Sequence, residues 1–253
     1  MANPVRTLLI FDGTTEAAGL AREATERFGG SLRVITSLAG RLSGVDHGSL
    51  RRIAGEVREG GFGGAAGIVD YLREQNVDVV IDATHPFAAA ISRHVHDACA
   101  EADVPRLMLL RPEWPERPGD RWLEAADMAD AADLVARHAR RAFLATGPGR
   151  LDAFSGVRNV WFLVRAMAPP SMPLPLAEHR VIVERPPFPV EHEQVLLREH
   201  RIDTLVTKQS GGPTDAKLTA AREAGLSVVM VRRPPLPPGD RVETVDQAIE
   251  WLG

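Results

Sequence analysis

Short apolar runs of strand-forming residues alternate with longer stretches of helical periodicity along nearly the whole chain, and this alternation is the strongest constraint on its fold. The unit is clearest at the start. Residues 7–11 (TLLIF) form an apolar run ended by Asp12-Gly13. Thr14 or Thr15 then offers an N-cap for a helix reading EAAGLAREA, Gly29-Gly30 stops it, and residues 32–38 (LRVITSL) form a second strand. A strand–helix–strand unit of about 30 residues is the size of a right-handed parallel crossover. Farther on, helix 68–75, strand 77–82, helix 88–102 and strand 107–110 continue the pattern, while 51–62 is glycine-rich and reads as a loop or a short element. Such an order implies mostly parallel sheets covered on both faces.

Residues 111–122, RPEWPERPGDRW, are dense in proline and read as a linker. After it the alternation restarts, with helices expected at 125–137, 190–200, 214–224 and 244–252. Strands are expected at 141–145, 160–164, 180–183, 204–207 and 227–231. The fold class is therefore α/β, with two Rossmann-like lobes, 1–112 and 113–253, and a ligand cleft expected between them. Residues 169–175 form a proline-rich loop suited to covering such a cleft.

Charge narrows the partners. Residues 1–112 carry 12 basic and 14 acidic side chains, which leaves 18 and 20 of the totals of 30 and 34 for the rest. Neither half has the basic excess that binding DNA or RNA requires, so no nucleic-acid partner is expected. No apolar run approaches the ~20 residues of a membrane span, and MANPVRTLLIF has no signal-peptide pattern, so a cytoplasmic protein is expected. Cys99 is the only cysteine; it excludes an intramolecular disulfide and reads as a small apolar residue within a helix.

Three turns at strand ends concentrate the candidate chemistry. In the first, Gly13 permits close backbone approach, while Thr14, Thr15 and Glu16 open a helix whose free N–H groups suit a phosphate. An ordinary capped helix accounts for the same residues equally well. The second strand ends Thr36-Ser37-Leu38-Ala39-Gly40-Arg41. An NAD site places an acid here to hold the ribose, whereas Ser37, Gly40 and Arg41 suit the 2′-phosphate of NADPH; a solvent-facing Arg41 is the plain alternative.

In the second turn, DATHPFAAAIS puts Thr84 and His85 just past a buried strand, at the carboxyl edge where parallel sheets bind ligands. His94 and His96 lie two to three turns away and point to different faces, so no metal site is expected. That leaves His85 as a hydrogen-bonding cofactor or substrate contact, or as packing.

The third turn is LVTKQSGGPTDAK. Of 30 cationic residues only Lys208 and Lys217 are lysine, and both fall within it, with Gln209, Ser210, Gly211 and Gly212 between. Arginine's flat fork cannot imitate a compact ammonium, which favours a site needing a point charge over chance clustering. Gly147-Pro-Gly149-Arg150 is a further glycine turn at a strand end, either a plain tight turn or a place for Arg150 to meet a substrate carboxylate.

LLIFDGTTEAAGLA, DATHPFAAAIS and VTKQSGG followed by DAK resemble, in order and spacing, the motifs of the precorrin-6A reductase family, over residues 8 to about 231. Asp12 stands where that motif commonly has glycine. The resemblance implies transfer of a hydride from NADPH to a double bond of the precorrin-6A macrocycle, giving precorrin-6B in cobalamin biosynthesis, or action on a cobalt-containing analogue. It also implies a tetrapyrrole substrate with many carboxylates for Arg150 and the 208–217 window, with His85, Lys208 or water as proton donor. Two other classes compete. A short-chain-type reductase carries Tyr-x-x-x-Lys, but Tyr71, the only tyrosine, is followed at that spacing by Gln75. A non-catalytic nucleotide module has no use for the lysine window.

Overall fold

The computed structural model describes residues 5–38, 53–147 and 149–253. In chain order its elements begin β1 (Arg6–Asp12), α1 (Thr15–Phe28), β2 (Leu32–Leu38), β3 (Glu56–Glu59), α2 (Ala65–Glu74), β4 (Val79–Ala83), α3 (Ala89–Ala102) and β5 (Arg106–Leu109). The middle of the chain runs β6 (Trp122–Ala125), α4 (Met128–His138), β7 (Arg141–Leu144), β8 (Trp161–Ala166), β9 (Glu178–Val183), α5 (Val190–Glu199), β10 (Thr204–Lys208), α6 (Ala216–Glu223) and β11 (Ser227–Val231). Last come β12 (Arg241–Val242) and α7 (Val245–Leu252).

These elements form two compact units, one of residues 1–112 with 235–253 and one of 113–234. The first unit has six parallel strands in the order β3-β2-β1-β4-β5-β12. Strand β1 is a run of core residues rather than an alternating one because both of its faces are covered. Leu8 and Ile10 face one core with Leu20 and Ala24 of α1 and Ile249 of α7. Leu9 and Phe11 point the other way, into a core with Ile68 and Leu72 of α2 and Val95 of α3. Cys99 is buried in this second core. Helix α1 turns Ala17, Leu20, Ala21 and Ala24 inward at helical spacing, and Gly29, at φ 51°, ends it.

Residues 235–253, expected in the second lobe, return to the first. The reason is the apolar face of α7: Ala248, Ile249 and Leu252 complete the core around α1, while β12 pairs with β5. Thr244 and Gln247 form a capping box that fixes the start of this helix.

The second unit is also a six-stranded parallel sheet, ordered β6-β11-β10-β7-β8-β9. Strand β6, at its edge, runs from the last residue of the expected linker, Trp122, to the first residue of the expected helix, Ala125. That helix starts later, where Asp127 accepts hydrogen bonds from the backbone N–H groups of Ala129 and Asp130. Among the described residues no helix is long and apolar enough to cross a membrane.

Candidate active site

Each sheet reverses its direction of growth once. In the first unit the reversal lies between β1 and β4, in the second between β7 and β10. Strands diverge there, and the crevice beyond their carboxyl ends is where open α/β sheets bind ligands. Residues 13–16, Thr84 and His85 lie by the first of these places, and Arg150 and the 208–212 segment by the second.

At the first, Asp12-Gly13-Thr14 leaves β1 beside Ala83-Thr84-His85 leaving β4. A Cβ on Gly13 would lie 2.6 Å from the His85 backbone nitrogen and 2.9 Å from the Thr84 Cα, so the two turns touch through backbone alone. Thr14 seals the contact, its hydroxyl donating to the Ala83 carbonyl at 3.1 Å. Thr15 is exposed and donates to Glu16 Oε2 at 3.1 Å, and Glu16 lies 3.5 Å from the Arg111 guanidinium. The Asp12 carboxyl is shifted up by burial, and the backbone N–H groups of Gly13 and Thr14 pull it partly back.

The neighbouring groups split between internal and outward duties. Thr84 is buried; its hydroxyl donates to Asp82 Oδ1 at 2.7 Å and lies 3.0 Å from the Ser92 hydroxyl, which directs it into the protein. His85 is half-buried and its Nδ1 accepts from the Phe87 backbone N–H at 3.2 Å. An accepting Nδ1 puts the neutral ring's proton on Nε2. Ser37 is buried at the end of β2, in register with Phe11 of β1 and Arg58 of β3. Gly40 and Arg41 lie outside the described residues. Arg58 is a basic residue that the glycine-rich sequence around it concealed. Its guanidinium donates to the Gly60 and Gly61 carbonyls and stacks on Phe62, 3.5 Å from the ring centroid.

At the second place, Lys208 ends β10 and its Nζ donates to the Thr146 carbonyl, at the end of β7, at 3.0 Å. Burial, and to a lesser extent the positive charge of Arg150, push the Lys208 pKa below the ordinary lysine value. The turn after β7 holds Gly147 at φ 78° and Arg150 at φ 65°, and Arg150 is exposed. Gly211 and Gly212 also take positive φ, 67° and 75°. The structure thus places Lys208, Ser210, Gly211 and Gly212 after β10 and Arg150 after β7, two neighbouring strands of the sheet.

Two other residues of the window serve differently. The Gln209 side chain is buried and pairs with the Trp114 backbone, accepting from its N–H and donating to its carbonyl, both at 3.0 Å. The Lys217 ammonium donates to the Thr214 carbonyl at 2.6 Å and lies 4.5 Å from the centre of the Trp114 ring. Among the described residues no group of three or more His, Cys, Asp or Glu side chains is placed to hold a metal ion.

Residues 7–253 match the family model described as precorrin-6x reductase CbiJ/CobK. The chain is 47% identical over 248 residues to a precorrin-6A reductase of Rhodococcus erythropolis, covering 97% of both chains. It is 43% identical over 249 residues to one of Mycobacterium tuberculosis, covering 97% of this chain and 96% of that one. A cobalt-precorrin-6A reductase of Salmonella typhimurium is 27% identical, covering 93% of this chain and 90% of the relative. A solved structure of CobK precorrin-6A reductase superposes with a TM-score of 0.87 at 38% identity, covering 98% of this chain and 96% of that one.

Proposed function

The chain belongs to the precorrin-6x reductase CbiJ/CobK family, and on that premise we propose that it reduces a double bond of precorrin-6A with NADPH, giving precorrin-6B in cobalamin biosynthesis. The choice of the metal-free macrocycle rests on the grading of identity. Relatives named precorrin-6A reductase stand at 47% and 43%, the cobalt-precorrin-6A reductase cited above at 27%. The cytoplasmic setting expected from the sequence belongs to the same proposal. A non-catalytic nucleotide module is not favoured, since the family is one of reductases.

The first unit suits a dinucleotide. Its strand order is that of a dinucleotide-binding sheet, and the penultimate residue of β2 is a serine rather than an acid. NADPH, when bound, supplies the hydride. Gly13, Thr14, Thr15 and Glu16 border its phosphates in this reading, Ser37, Gly40 and Arg41 meet the 2′-phosphate, and Thr84 supports His85 from beneath. His85 presents Nε2–H as a donor towards the nicotinamide or the reduced ring. Lys208 and Arg150 hold carboxylates of the macrocycle, with Ser210, Gly211 and Gly212 shaping the loop; Gln209 and Lys217 brace it. The proton that completes the reduction comes from His85, Lys208 or water.

Mixing the purified protein, NADPH and precorrin-6A under anaerobic conditions tests the activity. Nicotinamide absorbance should fall together with a change in the macrocycle spectrum. Turnover with cobalt-precorrin-6A alone would overturn the choice of substrate. His85→Ala should lower turnover without altering the melting temperature, and activity should survive a chelator. A stoichiometric metal lost in His85→Ala would overturn this assignment of His85.

A further inference from the structure

The loop that carries Lys208 owes its shape to residues far away in sequence. Between β10 and α6 it has two successive glycines at positive φ, and a free segment of that kind samples many conformations. The carbonyls of Lys208, Gln209, Ser210 and Gly212 are nevertheless each directed at a partner. Lys208 O accepts from the Ser210 N–H at 2.7 Å. Gln209 O and Ser210 O accept from Arg233 Nε and Nη2 at 2.8 and 3.2 Å. Gly212 O accepts from the Trp114 indole N–H at 2.7 Å.

Trp114 engages the same loop with its backbone and its ring face, through Gln209 and Lys217. Arg233 in turn lies 3.5 Å from Glu113, the residue before Trp114, which closes a ring of contacts 113–114, 209–212 and 233. A trans peptide is planar with its C=O and N–H opposed. Turning Ser210 O towards Arg233 therefore turns the Gly211 N–H to the opposite side of the loop.

We propose that Trp114 and Arg233 are positioning residues that hold the Lys208–Gly212 loop as a preformed cradle for a carboxylate of the substrate. This rests on the reading that Lys208 binds substrate. All the polar contacts described for Trp114 end on residues of the loop or of the first turn of α6, and Arg233 holds two successive loop carbonyls. Trp114 is also a core residue, so the test uses substitutions that leave the core filled. Trp114→Phe keeps an aromatic ring in the core, though a smaller one, and loses the N–H to Gly212. Arg233→Lys keeps the charge but cannot reach two carbonyls in fork geometry.

Steady-state kinetics with precorrin-6A at saturating NADPH, alongside Lys208→Ala and thermal melts, decides the matter. Each of the two variants should raise KM for the macrocycle about tenfold, with kcat and KM for NADPH close to wild type. Unchanged KM for the macrocycle in both, with Lys208→Ala impaired, would overturn the positioning role and leave the site reading standing. A parallel loss of kcat and melting temperature with KM unchanged would assign Trp114 and Arg233 to stability alone and equally overturn it. Wild-type constants in Lys208→Ala would overturn the site reading and the cradle together.

Discussion

Lys208 Nζ lies 3.0 Å from the Thr146 carbonyl oxygen, and this bond joins the end of β10 to the end of β7 across the point where the second sheet reverses. It holds a cation, partly stripped of water, at the carboxyl end of the sheet.

The pH dependence follows from that burial. The ammonium binds anions only while protonated, and its pKa is lowered by desolvation and by Arg150. The charge is therefore lost as pH rises through a value below that of an ordinary lysine, and kcat/KM should fall in the same window. Stability runs the other way. Between the lowered folded pKa and the unfolded value the unfolded chain binds more protons, so the contribution of Lys208 to stability rises with pH there. Lys208→Arg should abolish this alkaline limb and lower kcat/KM at neutral pH, because the longer, flat donor does not fit. A pH–rate profile of both proteins checks this; an unchanged limb in Lys208→Arg would assign it to another group.

Gly13→Ala should separate the turns after β1 and β4. The added methyl meets the backbone of Thr84 and His85, which cannot swing away as a side chain would. A loss of about 1–3 kcal/mol of stability is expected, with NADPH affinity reduced at least tenfold, roughly 1.4 kcal/mol. Thr15→Ala, at an exposed side chain in the same turn, is the control for stability alone and should shift it by no more than ~0.5 kcal/mol. Denaturant melts and fluorescence titration measure both. Wild-type NADPH affinity in Gly13→Ala would remove this turn from the cofactor site.

Cofactor choice should depend on the end of β2. NADPH is expected to bind at least about tenfold tighter than NADH, and Arg41→Ala to remove most of that preference. Calorimetric titration with the two nucleotides reads the ratio directly; equal affinities in the wild type would exclude the 2′-phosphate reading of Ser37 and Arg41.

Arg165 and Glu193 should behave as a buried pair. They are 8% and 1% exposed and bonded twice, at 2.7 and 2.9 Å, and Glu184 lies 3.2 Å from Arg165 Nε. Glu193→Ala should cost about 3–5 kcal/mol by leaving the guanidinium without its main partner. The double variant Arg165→Met with Glu193→Met should lie closer to wild type than Glu193→Ala. Chemical denaturation of the three proteins shows whether the loss comes from the stranded charge or from the missing volume.

The strands most legible in the sequence were those covered on both faces. Residues 32–38 and 227–231 became β2 and β11 with the expected bounds, since short segments rich in Val, Ile and Leu that follow a glycine turn leave few alternatives. The edge strands β3, β6 and β12 escaped, whereas β9, also at an edge, was expected at 180–183 and runs Glu178–Val183. β3 (EVRE) and β12 (Arg241–Val242) are short and polar, and β6 follows a proline-rich stretch, so pairing rather than composition makes them strands. At the site, turns marked by glycine at a strand end were readable because backbone geometry demands the residue. Trp114, Arg233 and the inward orientation of Gln209 were not. Their bonds join residues 24 to 98 positions apart, and no local spacing encodes them.

The return of residues 235–253 to the first unit gives the polypeptide a particular birth order. As the chain emerges from the ribosome, residues 113–234 are delivered as one uninterrupted stretch and can close their own core. The first 112 residues, though made earlier, wait for Ala248, Ile249 and Leu252 before the face around α1 is sealed. The unit synthesised first is thus the one finished last, and a stalled or shortened message leaves the half that begins with β1 exposing apolar surface while its neighbour is already folded.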